Sequence, residues 1–127
     1  MDVPTDRRYL NTHEWHKLDG DLCTIGITQF AADELTDITY VSLPSAGHEV
    51  AAGESFGEVE SVKATSDLNC GVAGVVAEVN DKLNDAPELV NQDPFGEGWV
   101  IKLKISDPAS LDKLMSADQY AKQLEDA

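Results

Sequence analysis

The chain has 127 residues, with 24 acidic against 9 basic side chains and a formal net charge of −15. Such a surface repels phosphate backbones and anionic membranes, which argues against nucleic acid or a lipid surface as partner. An apolar fraction of 42%, only 6% of the chain being aromatic, allows one modest core of Val, Ile, Leu and Ala, and no apolar run reaches membrane-spanning length.

In chain order, Tyr9 to Trp15 is a polar and aromatic lead. Asp19-Gly20 signals a tight hairpin, and Leu22 to Ile27 reads as a strand with Cys23, Ile25 and Ile27 on one side. Thr28 is placed to cap a short helix over Gln29 to Leu35, with Phe30, Ala31 and Leu35 available for its packed face. Ile38 to Leu43 is a β-branched run stopped by Pro44. Ser55 to Val62 and a run from Gly71 to Val79 are further strand-like stretches, and Lys82 to Asn91 reads as loop, broken at Asn84-Asp85-Ala86-Pro87. Trp99 to Ile105 alternates most clearly, with Trp99, Ile101, Leu103 and Ile105 expected inward and Val100, Lys102 and Lys104 outward. Asp107-Pro108 opens a helical segment bearing Leu111, Leu114 and Met115, and Ser116 with Gln119 forms a capping box for a last helix through Leu124. These helices are expected to cover an open sheet edge. Pattern alone supports a loop-rich β domain with C-terminal helices.

Two cysteines, Cys23 and Cys70, make no disulfide framework and fit a reducing compartment. Cys70 lies seven residues past Lys63, within reach for a reactive thiol beside that side chain, although a free cysteine is usually packing. Met1-Asp2-Val3-Pro4 has neither the charged nor the apolar region of a signal peptide, so the expectation is a cytoplasmic bacterial protein, or a mitochondrial-matrix one if eukaryotic and processed. His13, Glu14 and His16 suggest a metal site by proximity, but no third-ligand pattern follows and no metal is expected.

The central stretch is Gly57 to Asp67. Glu58-Val59-Glu60 alternates as a half-buried strand does, then the chain breaks into the small polar residues Lys63-Ala64-Thr65-Ser66-Asp67. A hairpin with Lys63 at its tip, returning through the Gly71–Val79 run, is the simplest construction. A solvated tip lysine is ordinary. This one is the only lysine or arginine between Lys17 and Lys82, among Glu54, Glu58, Glu60 and Asp67. An amine projected from a stiff tip is also what an acyl-transferring enzyme needs in order to attach a carrier group as an amide. No Ser-His-Asp order, P-loop or dinucleotide fingerprint accompanies it, so an autonomous enzyme is the weaker class.

Glu60-Ser61-Val62-Lys63-Ala64, with Ser66-Asp67 beyond, resembles the lipoylation site of the H proteins of the glycine cleavage system. His13-Glu14-Trp15, Ile25-Gly26-Ile27-Thr28, Leu43-Pro44, Val79-Asn80, Leu89-Val90-Asn91 and Pro94-Phe95-Gly96-Glu97-Gly98-Trp99 fall in that family's order, so the resemblance covers about Tyr9 to Tyr120. It implies a hybrid barrel-sandwich fold of the lipoyl/biotinyl-carrier type, with a short internal helix and C-terminal helices. The whole chain, 1–127, would be one carrier domain, with a core over about 9–105 and a helical segment over about 107–125. Lys63 would be the lipoyl attachment point, and Glu14 and Asp67 candidates to contact or orient the arm.

The function so implied is that of a carrier, a cosubstrate whose cofactor does the chemistry. A lipoate ligase or a lipoyl/octanoyl transferase would acylate Lys63. A pyridoxal-phosphate glycine decarboxylase would load the aminomethyl group, an aminomethyltransferase would pass the one-carbon unit to tetrahydrofolate, and dihydrolipoamide dehydrogenase would reoxidise the dithiol. The carrier itself is expected to be a monomer. Three other readings compete. One is a carrier of another complex, although biotin carriers flank the lysine with methionines, and 2-oxoacid dehydrogenase domains usually carry Asp-Lys-Ala. The second is an H-like protein relaying lipoyl groups to other enzymes. The third is an unmodified interaction module of the same fold. Two departures from the family pattern stand out: Thr36, where glycine is common, and Asn69-Cys70-Gly71, where a small residue followed by proline is common.

Overall fold

The Asp19-Gly20 signal produces the hairpin it predicts. The computed structural model describes residues 3–126. A short strand β1 (Arg8–Tyr9) precedes β2 (Glu14–Asp19) and β3 (Leu22–Ile27), which pair antiparallel with Asp19 opposite Leu22. Gly20 takes the first loop position at φ +66°, a left-handed backbone that costs glycine little. Cys23, Ile25 and Ile27 are buried, as alternation requires. Thr28 caps α1 (Gln29–Leu35), its hydroxyl accepting from the Ala31 N–H. The fully buried residue of this helix is Ala32, whereas Ala31 and Leu35 are half-buried and Phe30 turns aside to lie 4.8 Å from the His13 ring.

Strand β4 (Ile38–Ser42) stops before Pro44, and the two-residue β5 (Glu49–Val50) follows. The lysine hairpin is built differently from the sequence reading. Strand β6 (Ser55–Ser61) returns at once as β7 (Thr65–Asn69), the small polar residues taken for turn, with Glu60 opposite Thr65 and Glu58 opposite Asp67. The Gly71–Val79 run instead contributes β8 (Gly74–Val79) to the other sheet. Lys82 to Asn91 is also more ordered than expected. It forms the single turns α2 (Lys82–Asp85) and α3 (Leu89–Gln92), separated at Ala86-Pro87 and anchored by the buried Leu83 and Val90.

Strand β9 (Ile101–Lys104) alternates as predicted, but Val100 is buried, not outward. Val100 precedes the paired strand: its N–H donates to the Ile25 carbonyl at 2.8 Å and its own carbonyl accepts from Asn80 N–H at 3.0 Å. That wedges it between β3 and the end of β8. Trp99 is only half-buried, with the Lys102 ammonium 5.1 Å over its ring. A 3-10 turn (Pro108–Lys113) begins at Asp107-Pro108, without the side-chain cap hydrogen bond expected of Asp107. Met115 leaves the helical path and exchanges backbone hydrogen bonds of 2.9 Å with Tyr9, closing the β1 edge. Ser116 and Gln119 form the predicted reciprocal capping box on α4 (Ala117–Glu125).

Among the described residues all the pairings are antiparallel, in a six-stranded sheet of order β1-β2-β3-β9-β8-β5 and a three-stranded sheet of order β4-β6-β7. Their inward residues, among them Ile25, Val41, Val59, Leu68, Val76 and Leu103, share one core. Trp15, Tyr9, Tyr120 and Ala117 form a second cluster under α4. The Trp15 indole lies directly on Gly26, where a Cβ would come within 2.8 Å of the ring, and its N–H donates to the Pro94 carbonyl at 2.9 Å. The His-Glu-Trp, Gly26 and Pro94–Trp99 segments therefore meet in space as packing partners. Among the described residues no helix is long and apolar enough to cross a membrane.

Candidate functional site

Lys63 sits in the turn Val62-Lys63-Ala64 at the end of the β6–β7 hairpin, exposed to water. The turn is stiffened locally. Ser61 Oγ accepts from the N–H groups of Lys63 at 3.1 Å and Ala64 at 3.0 Å, and the Ser61 N–H donates to the Ala64 carbonyl at 2.8 Å. Val62 N–H donates to the Asp37 carbonyl at 3.1 Å, tying the tip to the segment that follows α1. The Lys63 ammonium donates to the Glu34 carbonyl at 3.3 Å, at the carbonyl-rich C-terminal end of α1.

Of the acidic neighbours read from the sequence, Glu58, Glu60 and Asp67 lie on the hairpin, but Glu54 lies beyond its root. At about 3.3 Å per strand residue, Glu54 is roughly 20 Å or more from the tip. Asp67 is exposed, opposite Glu58. Glu14 is buried: its carboxylate accepts from the Thr12 hydroxyl and from the Asn69 N–H at 2.9 Å, on the free edge of β7. Burial pushes its pKa up to about 7 against the opposing effect of those hydrogen bonds. Glu14 and Asp67 thus attend the same strand from different sides, one bracing its edge and one standing in water.

The two histidines are held apart. His13 (φ +80°) has Nδ1 2.7 Å from the Tyr120 hydroxyl, which lies 2.6 Å from Thr28 Oγ. His16 is fully buried and accepts at Nε2 from Gly71 N–H at 3.0 Å. A proline at position 71 could not supply that donor, which gives the departure at Asn69-Cys70-Gly71 a structural counterpart. Desolvation lowers the His16 pKa to about 4. Among the described residues no group of three or more His, Cys, Asp or Glu is arranged to hold a metal ion. The Cys70 thiol is buried, donates to the Val72 carbonyl and is pushed up to about 11 by desolvation, so it packs and offers no thiolate to the tip. Cys23 is pushed up to about 12 for the same reason.

Ser61, Glu34, Thr12, Asn69, Tyr120 and Asn91 support the site in ways not evident from their place in the sequence. Asn91 accepts from Ile38 N–H at 2.9 Å and donates to the Thr36 carbonyl at 2.6 Å, fastening the link between α1 and β4 behind the lysine. Its presence in the family-like Leu89-Val90-Asn91 run was the available signal. Ser61 carried one too, as a hydroxyl residue at a turn entrance.

Two β-sheets around a common core, with one lysine displayed on a braced hairpin, define a carrier-type domain of hybrid barrel-sandwich fold. Comparison with known proteins narrows the class. The family described as glycine cleavage H-protein matches residues 7–127. A probable glycine cleavage system H protein of Haloarcula marismortui is 52% identical over 98% of each chain. Glycine cleavage system H protein 2, mitochondrial, of Arabidopsis thaliana is 51% identical over 98% of this chain and 80% of its own. The crystal structure of a glycine cleavage system H protein from Mycobacterium marinum superposes with a TM-score of 0.89 at 38% identity, covering 97% of this chain and 99% of that one. The chain belongs to the glycine cleavage H-protein family, the lipoyl carriers of the glycine cleavage system.

Proposed function

We propose that Lys63 is the lipoyl attachment point, and that the chain, acting as a single carrier domain, shuttles the aminomethyl group of glycine between the enzymes of the system. The observation that carries this reading is the placement of the Lys63 amine: exposed, on a turn braced by Ser61 and Asp37. The residues present suit the group. Amide formation removes the lysine charge, and the amide N–H left behind can still donate to the Glu34 carbonyl that the ammonium now contacts. When attached, the dithiolane supplies reversible disulfide–dithiol chemistry. The protein's own part is to fix the root of a long arm while leaving its free end mobile. The proposed partners are the pyridoxal-phosphate glycine decarboxylase, the aminomethyltransferase, dihydrolipoamide dehydrogenase, and a lipoate ligase or lipoyl/octanoyl transferase. They act on a monomeric carrier in a reducing compartment, which suits the two free thiols.

Glu14 and Asp67 are proposed to border the arm. Asp67 offers an exposed carboxylate four residues past the lysine, and Glu14 holds the strand that carries it. Intact mass and peptide mapping of protein from its own host is the test. One lipoyl increment on Lys63, absent from Lys63→Arg, is the expected result. An unmodified Lys63 in a host that lipoylates its other carriers would overturn the reading in favour of an interaction module.

A further inference from the structure

Register arranges the outer face of the three-stranded sheet in rows. Tyr40, Glu60 and Thr65 lie side by side across β4, β6 and β7, and Ser42, Glu58 and Asp67 form the next row. Val41 and Val59 point the other way, into the core, so these rows face solvent. Tyr40 is 51% exposed and Val62, at the tip beside Lys63, is 69% exposed. Both exceed the exposure of every other large apolar side chain among the described residues. A scattered exposed apolar side chain needs no explanation. Here an exposed ring on the sheet face and an exposed branched side chain at the tip lie near the same lysine, among three carboxylates.

We propose that this face, centred on Tyr40, is the docking surface for the enzyme that acylates Lys63. Tyr40 would enter an apolar slot of that enzyme, with Glu58, Glu60 and Asp67 opposite basic side chains. The proposal rests on the reading of Lys63 as the carrier site. An enzyme that forms an amide at a tip must enclose the amine, and its contact extends well beyond one side chain. A standard contact covers about 800 Å² per partner, a radius of roughly 16 Å. Glu60 is three residues from Lys63, which puts the Tyr40 row only about 10 Å from the tip. Tyrosine combines a large contact area with little conformational entropy to lose, and it is enriched among residues that dominate binding energy. The carboxylates beside it, on a chain of net charge −15, favour a basic partner and speed its encounter.

The test is the rate of Lys63 acylation by a purified lipoate ligase, at carrier concentrations below saturation, on the full chain. Tyr40→Ser is expected to lower kcat/KM at least tenfold with its melting midpoint lowered by no more than about 4 °C, so that the chain stays folded at the assay temperature, while Val75→Thr, an exposed position on the other sheet, keeps the wild-type rate. Glu60→Lys, also exposed, is an independent second variant, expected to lose about fivefold, and more at low salt. Wild-type rates for both Tyr40→Ser and Glu60→Lys would overturn the docking surface and leave the carrier reading standing. A wild-type chain that gains no lipoyl group at Lys63 would overturn both.

Discussion

Thr36 ends α1 at φ +62°, ψ −145°, a region that glycine populates and a β-branched residue enters only under strain. The surrounding contacts hold it there. Its N–H donates to the Asp33 carbonyl at 3.3 Å, and its carbonyl accepts from Asn91 Nδ2 at 2.6 Å. Such a backbone costs about 1–3 kcal/mol. Replacing Thr36 by glycine relieves that strain. It also gives the unfolded chain more freedom, worth about 0.4–1 kcal/mol, and loses the exposed hydroxyl hydrogen bond to the Leu35 carbonyl, worth about 0.5 kcal/mol. The net expectation for Thr36→Gly is stabilisation of about 1 kcal/mol, which for a chain of this length raises the melting midpoint by about 4 °C. Calorimetry and urea titration measure it, with Thr36→Ala as control. Alanine removes the branch and the hydroxyl but keeps the Cβ that the backbone disfavours, so it should recover little. If glycine is no more stable than alanine, the strain argument is wrong.

Glu14 and His16 make stability depend on pH with opposite signs. Burial holds the Glu14 carboxyl at about 7, above the ordinary carboxylate range, so the folded state binds its proton more tightly and stability falls as pH rises from about 4.5 to about 7, by up to about 3 kcal/mol. His16, at about 4 against 6.5, loses stability as pH falls between those values. The two windows overlap, so the two contributions largely offset one another in the wild type. Glu14→Gln keeps both hydrogen bonds, with the amide oxygen toward Asn69 and the amide N–H toward Thr12, and should unmask the His16 limb as a rise in stability of about 3 kcal/mol between pH 4 and 6.5. Parallel wild-type and mutant curves of stability against pH would refute the assignment. Ser61→Ala should slow Lys63 acylation about fivefold, because each backbone residue left to be ordered by the enzyme costs about 1 kcal/mol. Ser61→Thr should restore the rate, and an unchanged rate for alanine would show that the turn needs no brace.

Features with local causes were legible in the chain. Gly20 needs a left-handed backbone, Thr28 and Ser116 bond the next turn of their own helices, and Cys23, Ile25 and Ile27 share a face because strands alternate. Lys63 belongs with them: a charged residue between an alternating run and small polar residues marks a tip. Strand β7 escaped because Thr65, Ser66 and Asp67 lie near the tip, where both faces meet water, and only Leu68 is fully buried. Without an apolar period such a strand is indistinguishable from turn. Val100 failed the alternation rule because packing between β3 and β8, not strand period, set its direction. Tertiary structure alone decided the surroundings of the site. The Lys63 amine meets a carbonyl 29 positions away, the Glu14 carboxylate an amide 55 away, and the His13 imidazole a hydroxyl 107 away. Chain pattern encodes which face a residue prefers, but the partner across the core follows from how two sheets and a terminal helix close on one another.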